Sequence, residues 1–150
     1  MNGEIVMNEL IQQVAKLVGE EQAQVRSDGV WIMAGEISMQ SLAEFSLREG
    51  FRLSTMTAVE RPEGETDVIY HFINNASLLH VRIQSRGQHL ESLAAFLPSA
   101  NWIEREIRDL YAVQFDGHPD PRPLLRPKEL PEGFFRKAIA DAILKEREAK

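Results

Sequence analysis

The chain of 150 residues contains no cysteine. That excludes disulfides, thiolate zinc sites, cysteine-ligated iron–sulfur clusters and cysteine nucleophiles, and it fits a reducing compartment. No apolar run approaches the ~20 residues needed to span a bilayer. The opening MNGEIVMNEL carries acids where a secretory leader needs basic residues, so no leader is expected. A basic stripe is missing too. Net charge is −6, residues 1–50 hold eight acids against three bases, and the last fifty residues hold ten of each. Phosphate contacts dominate nucleic-acid affinity, so an acidic chain of this kind is a poor binder of it. There is no Gly-rich nucleotide loop, internal repeat or low-complexity tract, and no nucleophile–base pair stands out. The expectation is a soluble chain, held at a membrane only through partners.

What is present suits one globular domain. A chain of this length buries roughly 68–70% of its unfolded surface, enough to be stable without disulfides or metal. Met7, Leu10, Val14 and Leu17 recur at helical spacing and predict an amphipathic helix over 4–18. Residues 23–26 and 30–34 read as a hairpin turning at Ser27-Asp28-Gly29. Ser38 is a candidate N-cap for a helix ended by Gly50, with Leu42, Phe45 and Leu47 facing inward. Three strands follow. Phe51, Leu53, Thr55, Thr57 and Val59 alternate in 51–60; Val68, Tyr70 and Phe72 share a face in 67–74; Leu79, Val81 and Ile83 do so in 78–84. Pro62, Gly64 and Asn74-Asn75 make the connections short enough for an antiparallel meander. Helices are predicted over 88–97, 102–112 and 131–148, the last with Phe135, Ile139, Ala142 and Ile143 as its apolar stripe. The reading is α+β: a two-layer fold with a mainly antiparallel mixed sheet, helices packed on it, a Pro-rich loop and a C-terminal helical segment. Residues 1–125 would form one domain, and 126–150 a helical extension with a partly frayed end.

The stretch NWIEREIRDLYAVQFDGHPDPRPL, residues 101–124, concentrates the chemistry. From Glu104 to Asp109 it packs three acids and two arginines into two helical turns. Local rules predict Asn101 as a cap paired with Glu104, surface pairs Glu104–Arg108 and Arg105–Asp109, and Ile103, Ile107 and Leu110 as the buried stripe. Glu104 and Glu106 point about 200° apart on a helix, so they cannot jointly flank one substrate. Asp116, His118 and Asp120 alternate and suggest a small divalent-metal site, although catalytic zinc normally takes at least two histidines. His71, His80 and His89 sit in strands or beside a turn and read as incidental. Prolines 119, 121 and 123 hold the loop extended, with Arg122 free for a bidentate carboxylate contact. That suits a segment lying along another protein, or a rigid loop packed on its own domain.

These residues resemble the signature of the 30 kDa subunit family of respiratory complex I, whose relatives occur in formate hydrogenlyase and energy-converting membrane-bound hydrogenases. The matching positions are Glu104, Arg105 and Glu106, then Asp109, Leu110 and Tyr111, then Gly117, His118, Pro119, Asp120 and Arg122, closed by Leu124. The preceding strands fall where the family's sheet would be. Thr55-Met56 stands where an acid is frequent. Pro121-Arg122-Pro123 replaces the commoner Leu-Arg-Arg and looks closer to the hydrogenase-type relatives. The resemblance implies a peripheral-arm subunit on the cytoplasmic side of the membrane that binds no cofactor itself. It would dock on the large catalytic subunit, of the 49 kDa or hydrogenase-large-subunit type, beside iron–sulfur subunits. NADH, quinone, iron–sulfur clusters or nickel–iron would be handled by other chains, and Arg105, Asp109, His118 and Arg122 would organise the interface. The alternatives are a stand-alone metal enzyme using Asp116, His118 and Asp120, and a binding module unrelated to respiration.

Overall fold

A computed structural model describes residues 2–18 and 23–150, with side chains from Met7 onward. The elements run α1 (Asn2–Val18), β1 (Ala23–Arg26), β2 (Gly29–Ala34), α2 (Met39–Arg48), β3 (Arg52–Glu60), β4 (Thr66–Ile73), β5 (Leu78–Gln84), β6 (His89–Glu91), α3 (Asn101–Tyr111), β7 (Gln114–Asp116) and α4 (Lys137–Glu148). One sheet has the order β1-β2-β5-β4-β3, and a second pairs β6 with β7. The chain divides into two compact units, residues 1–57 with 68–84, and residues 58–67 with 85–150.

The first unit follows from period-two patterning against helical stripes. Val30, Ile32 and Ala34 of β2 lie opposite Leu79, Val81 and Ile83 of β5 in a parallel register. These six side chains are buried, as are Val68, Tyr70 and Phe72 of β4, Leu10 and Val14 of α1, and Leu42 and Phe45 of α2. The β1–β2 pair is antiparallel. The short β3–β4 and β4–β5 connections admit only hairpin pairing, so the sheet is mixed and mainly antiparallel. The α+β architecture is as expected. Ser38 caps α2, its Oγ accepting from the Ser41 amide at 3.2 Å. Leu47, expected inside, is 65% exposed; it lies about 200° round the helix from Phe45. The alternation expected along β3 also fails. Leu53 and Met56 are buried while Thr55 is exposed, so side-chain parity shifts between them.

The second unit departs further from local rules. The helix expected over 88–97 is absent, because tertiary acceptors take the amides it would use. Ser92 donates to Asp116 O at 2.8 Å, and Leu93 and Ala94 donate to the Glu104 carboxylate. The first residues of that stretch form β6, parallel to β7, with Leu90 opposite Phe115. The helix expected over 131–148 begins only at Lys137. Before it, Gly133 and Phe135 donate to Asp109 O and Leu110 O of α3, at 2.8 and 2.9 Å. None of α4 is fully buried: Ile139 and Ile143 are half-buried, Ala142 is exposed, and Phe135 just before the helix is 56% exposed.

Gly29 tests the first unit. Its φ is +130°, and an added Cβ would lie 2.4 Å from Leu78 O, whereas Gly50, with φ +70°, faces open space. Gly29→Ala is expected to destabilise by about 3 kcal/mol and Gly50→Ala by about 1 kcal/mol. Urea unfolding midpoints check this, and equal losses would contradict the close approach of β2 to Leu78.

Candidate functional site

The signature residues meet on α3, and the structure uses them differently from the local expectation. The 3₁₀ turn Pro98–Ala100 runs straight into α3, so Asn101 is already helical and cannot act as its cap; the N-cap is Ala100, without a side-chain bond. Glu104 therefore does not turn back on Asn101. It is fully buried, with Oε1 accepting from the Leu93 and Ala94 amides at 2.6 and 3.3 Å, and Oε2 2.6 Å from Ser92 Oγ. His118 Nε2 lies 3.7 Å from the same oxygen. Burial pushes the Glu104 carboxyl up to about 7, while the hydrogen bonds from Ser92, Leu93 and Ala94 pull the other way.

Asp109, also buried, does not pair with Arg105. Its Oδ2 accepts three successive amides, from Leu124, Leu125 and Arg126, at 2.9, 2.8 and 3.1 Å. The arginines take the carbonyls just before them. Arg105 donates through Nε to Arg122 O at 2.9 Å and through Nη2 to Pro123 O at 3.1 Å, and its Nη1 is 3.3 Å from Asp120 Oδ2. Arg108 donates to Pro121 O and lies 3.7 Å from Glu132. Of the expected stripe only Ile107 is fully buried; Ile103 and Leu110 are half-buried, and Glu106 is exposed.

The C-terminus of α3 is equally occupied. A helix leaves its last four carbonyls without intrahelical partners. Here Arg108 O accepts from Ala112 N, Asp109 O from Gly133 N, Leu110 O from Phe135 N, and Tyr111 O from Gln88 Nε2 at 2.8 Å. The Tyr111 ring packs edge-on to Phe135 at 6.1 Å. Gln88, in a left-handed conformation with φ 64°, also accepts from Thr66 N at 2.6 Å. Sequence reading missed Gln88, Ser92, Glu132 and Gly133. None forms a local motif with α3; only the glycine, as a candidate positive-φ residue, carried a signal.

The loop residues are placed one by one. Gly117 turns with φ +81°. His118 Nε2 donates to Asn101 O at 3.1 Å, and its Nδ1 accepts from Asp120 N at 2.9 Å, so the proton sits on Nε2. Pro119 is exposed. Arg122 grips Asp120 bidentately at 2.9 and 2.8 Å while its own side chain stays 79% exposed. Those bonds, with Arg105 nearby, hold the Asp120 carboxyl well below the usual range. Asp116 is 2.9 Å from His89 Nδ1. The alternating trio is thus split among separate partners, and among the described residues no group of three His, Asp or Glu is placed to hold a metal. A cavity of about 300 Å³ opens beside Glu104, Arg108, Gln114 and His118. No described helix is long and apolar enough to cross a membrane.

Comparison with known proteins bears on this arrangement. The family described as respiratory-chain NADH dehydrogenase, 30 Kd subunit, matches residues 37–141. The C-type subunit of the Moorella thermoacetica NADH-quinone oxidoreductase is 31% identical over 130 residues, covering 82% of this chain and 88% of that protein. The C/D-type subunit of the Aeromonas salmonicida enzyme is 41% identical over 71 residues, 45% of this chain and 12% of its own. With the C-type subunit of Cereibacter sphaeroides the match spans 39% of that protein. A chain from the membrane-bound sulfane sulfur reductase, an archaeal respiratory membrane complex, has the same fold, with TM-score 0.75 and 19% identity over 100% of this chain and 93% of its own.

Two expected outcomes test the wiring. The folded chain holds the Glu104 proton up to about pH 7, against 4.5 for the ordinary group. Stability from the neutral acid is therefore complete below 4.5 and is lost as pH rises through 7. Glu104→Gln keeps the acceptor for two amides and a donor for Ser92. It should gain on the unsubstituted chain by about 3 kcal/mol across that window, read as urea midpoints against pH. A constant difference would contradict the raised value. Asp109→Ala strands three amides and should cost about 3 kcal/mol or more, whereas exposed Glu106→Ala should change stability by less than about 0.5 kcal/mol. Thermal denaturation compares them directly.

Proposed function

The chain belongs to the respiratory-chain NADH dehydrogenase 30 Kd subunit family, and from that premise we propose that it is a docking subunit of an ion-translocating respiratory complex. It sits at the cytoplasmic side of the membrane, attached through its neighbours, and leaves cofactor chemistry to them. Its principal partner is the large catalytic subunit. The joint name of the C/D relatives supports this, since there the two subunits share one designation. An NADH:quinone complex is favoured by the names of the relatives, and a hydrogenase-type complex is the variant suggested by Pro121-Arg122-Pro123.

One observation carries the reading. Glu104, Arg105, Arg108 and Asp109 are spent on the chain's own backbone and side chains, while the same unit leaves large apolar side chains outside: Trp102 at 69% exposure, Leu125 at 47%, Phe135 and Leu144 at 56% each. Exposed apolar groups around a satisfied polar frame fit a surface built for a protein partner. Arg122, held by Asp120 but 79% exposed, adds a charge that a partner carboxylate can share. In this reading Arg105, Asp109 and His118 shape the interface by holding residues 120–126, a strap laid along α3.

Leu144→Asp and Arg122→Ala, made together in the cell's own complex, should leave the melting temperature of the isolated chain nearly unchanged. Association with the large subunit should weaken at least about tenfold, about 1.4 kcal/mol. Co-purification measures it; undiminished recovery of the large subunit would remove α4 and Arg122 from the docking surface.

A further inference from the structure

On the sheet face opposite the first unit's core, residues from five strands form one row. Gln24, Trp31 and His80 are register partners across β1, β2 and β5. Beyond them, His71 Nδ1 of β4 lies 2.7 Å from His80 Nδ1, and His71 Nε2 lies 2.9 Å from Thr57 Oγ1 of β3. His80 is 8% exposed. Trp31 stacks on His80 at 4.5 Å, carries the Arg26 guanidinium 4.7 Å from its ring centre, and donates from Nε1 to Asp28 Oδ1 at 2.8 Å.

The hydrogen bonds fix where the protons are. His80 Nε2 lies 3.1 Å from Asp28 O, a carbonyl that can only accept, so that nitrogen carries hydrogen. In the neutral ring His80 Nδ1 is then bare and must accept. His71 Nδ1 is the donor across the 2.7 Å contact, and His71 Nε2 is left to accept from the Thr57 hydroxyl.

We propose that His71 and His80 form a binding site for a single additional proton, held as one unit, which a second proton forces open. The first proton enters at His71 Nε2, where the Thr57 hydroxyl turns to accept it. It leaves the Nδ1–H···Nδ1 bond intact and now charge-assisted. A second proton has only His80 Nδ1 to occupy. Two N–H groups would then face each other across 2.7 Å, and the rings must part, ending the stack on Trp31. The charges around the pair are Asp28 from the β1–β2 turn, Arg26 from β1 and Arg82, next on the same face of β5; β2 and β3 contribute neutral Trp31 and Thr57. Burial and the neighbouring His80 hold the His71 imidazole below its ordinary range, with Asp28 opposing them, which fits a site that fills only under acid.

The full chain tests this in two ways. With Trp102→Phe, Trp31 is the only remaining tryptophan, and its emission reports both rings, since His71 lies edge-on to it at 6.5 Å and His80 is stacked on it. The emission should change in two steps more than about one pH unit apart, the second as the stack parts. Adding His71→Asn should merge them into one. Nitrogen-15 NMR of the unsubstituted chain, which needs no variant to fold, should show His71 as the Nδ1–H and His80 as the Nε2–H tautomer at neutral pH. A single step in Trp31 emission before His71 is replaced, or Nε2–H tautomers in both rings, would overturn the proposal.

Discussion

The second unit depends on how α3 satisfies a stretch of backbone that cannot satisfy itself. Prolines at 119, 121 and 123 remove amides from the strap and leave carbonyls, so the segment cannot join a ladder or close a helix. Arg105 and Arg108 supply the donors for the carbonyls of residues 121, 122 and 123. Immediately past Pro123 the polarity reverses, and the three amides of 124–126 converge on Asp109 Oδ2. Residues 105, 108 and 109 are spaced i, i+3 and i+4, which places them on one face of a helix. The strap crosses that face, donors meeting the proline carbonyls and the acceptor meeting the free amides. Left unpaired, the part-buried amides of 124–126 would each cost about 1–3 kcal/mol, more than an exposed ion pair contributes.

Two acids on the same helix show how partner geometry separates like groups. Glu104 and Asp109 are both almost fully buried. Asp109 gathers three backbone amides on a single oxygen. Glu104 has two amides and a hydroxyl, and its second oxygen faces Ser92, which can accept as readily as donate. A neutral Glu104 therefore keeps every contact, so burial raises its proton affinity without breaking the turn at 92–94. The histidine pair on the first unit's sheet obeys the same logic, since one proton arrangement satisfies all atoms and the next does not.

Periodic patterns were legible because they need only neighbours. Leu42 with Phe45 and the alternating Leu79, Val81 and Ile83 report their faces from spacing alone. What escaped reading was settled by distant atoms. A helix over 88–97 is locally reasonable until Glu104 and Asp116 take its amides. The expected Glu104–Arg108 and Arg105–Asp109 pairs are allowed by spacing, yet each member finds a hydrogen-bond partner ten or more residues away. The motif itself was readable as a cluster of charge, but its purpose of bracing a strap was not, because local rules treat ion pairs as the default use of such residues. His71 and His80 read as incidental because the strands carrying them gave no hint that both rings would share a face and a contact.

The last helix shows what this frame leaves undone. Twelve residues are too few for an isolated helix to be stable in water, and α4 has no buried residue to add packing. Its start is held firmly: Glu60 Oε2 accepts from the Lys137 amide at 2.9 Å, a carboxylate at a helix N-terminus, and Arg136 donates to Gly64 O at 2.6 Å. Beyond that anchor, Ile139 and Ile143 are only half-buried and Leu144 is 56% exposed, so the unit covers their side of the helix in part. Anchoring the first turn nucleates the helix while covering its apolar side only in part, which keeps the remainder oriented and open. Under the proposed function this is how a docking element should be made, since ordering it in advance lowers the entropy lost on association. The strap contributes in the same way, having been stiffened by proline and fixed to α3 before any partner arrives.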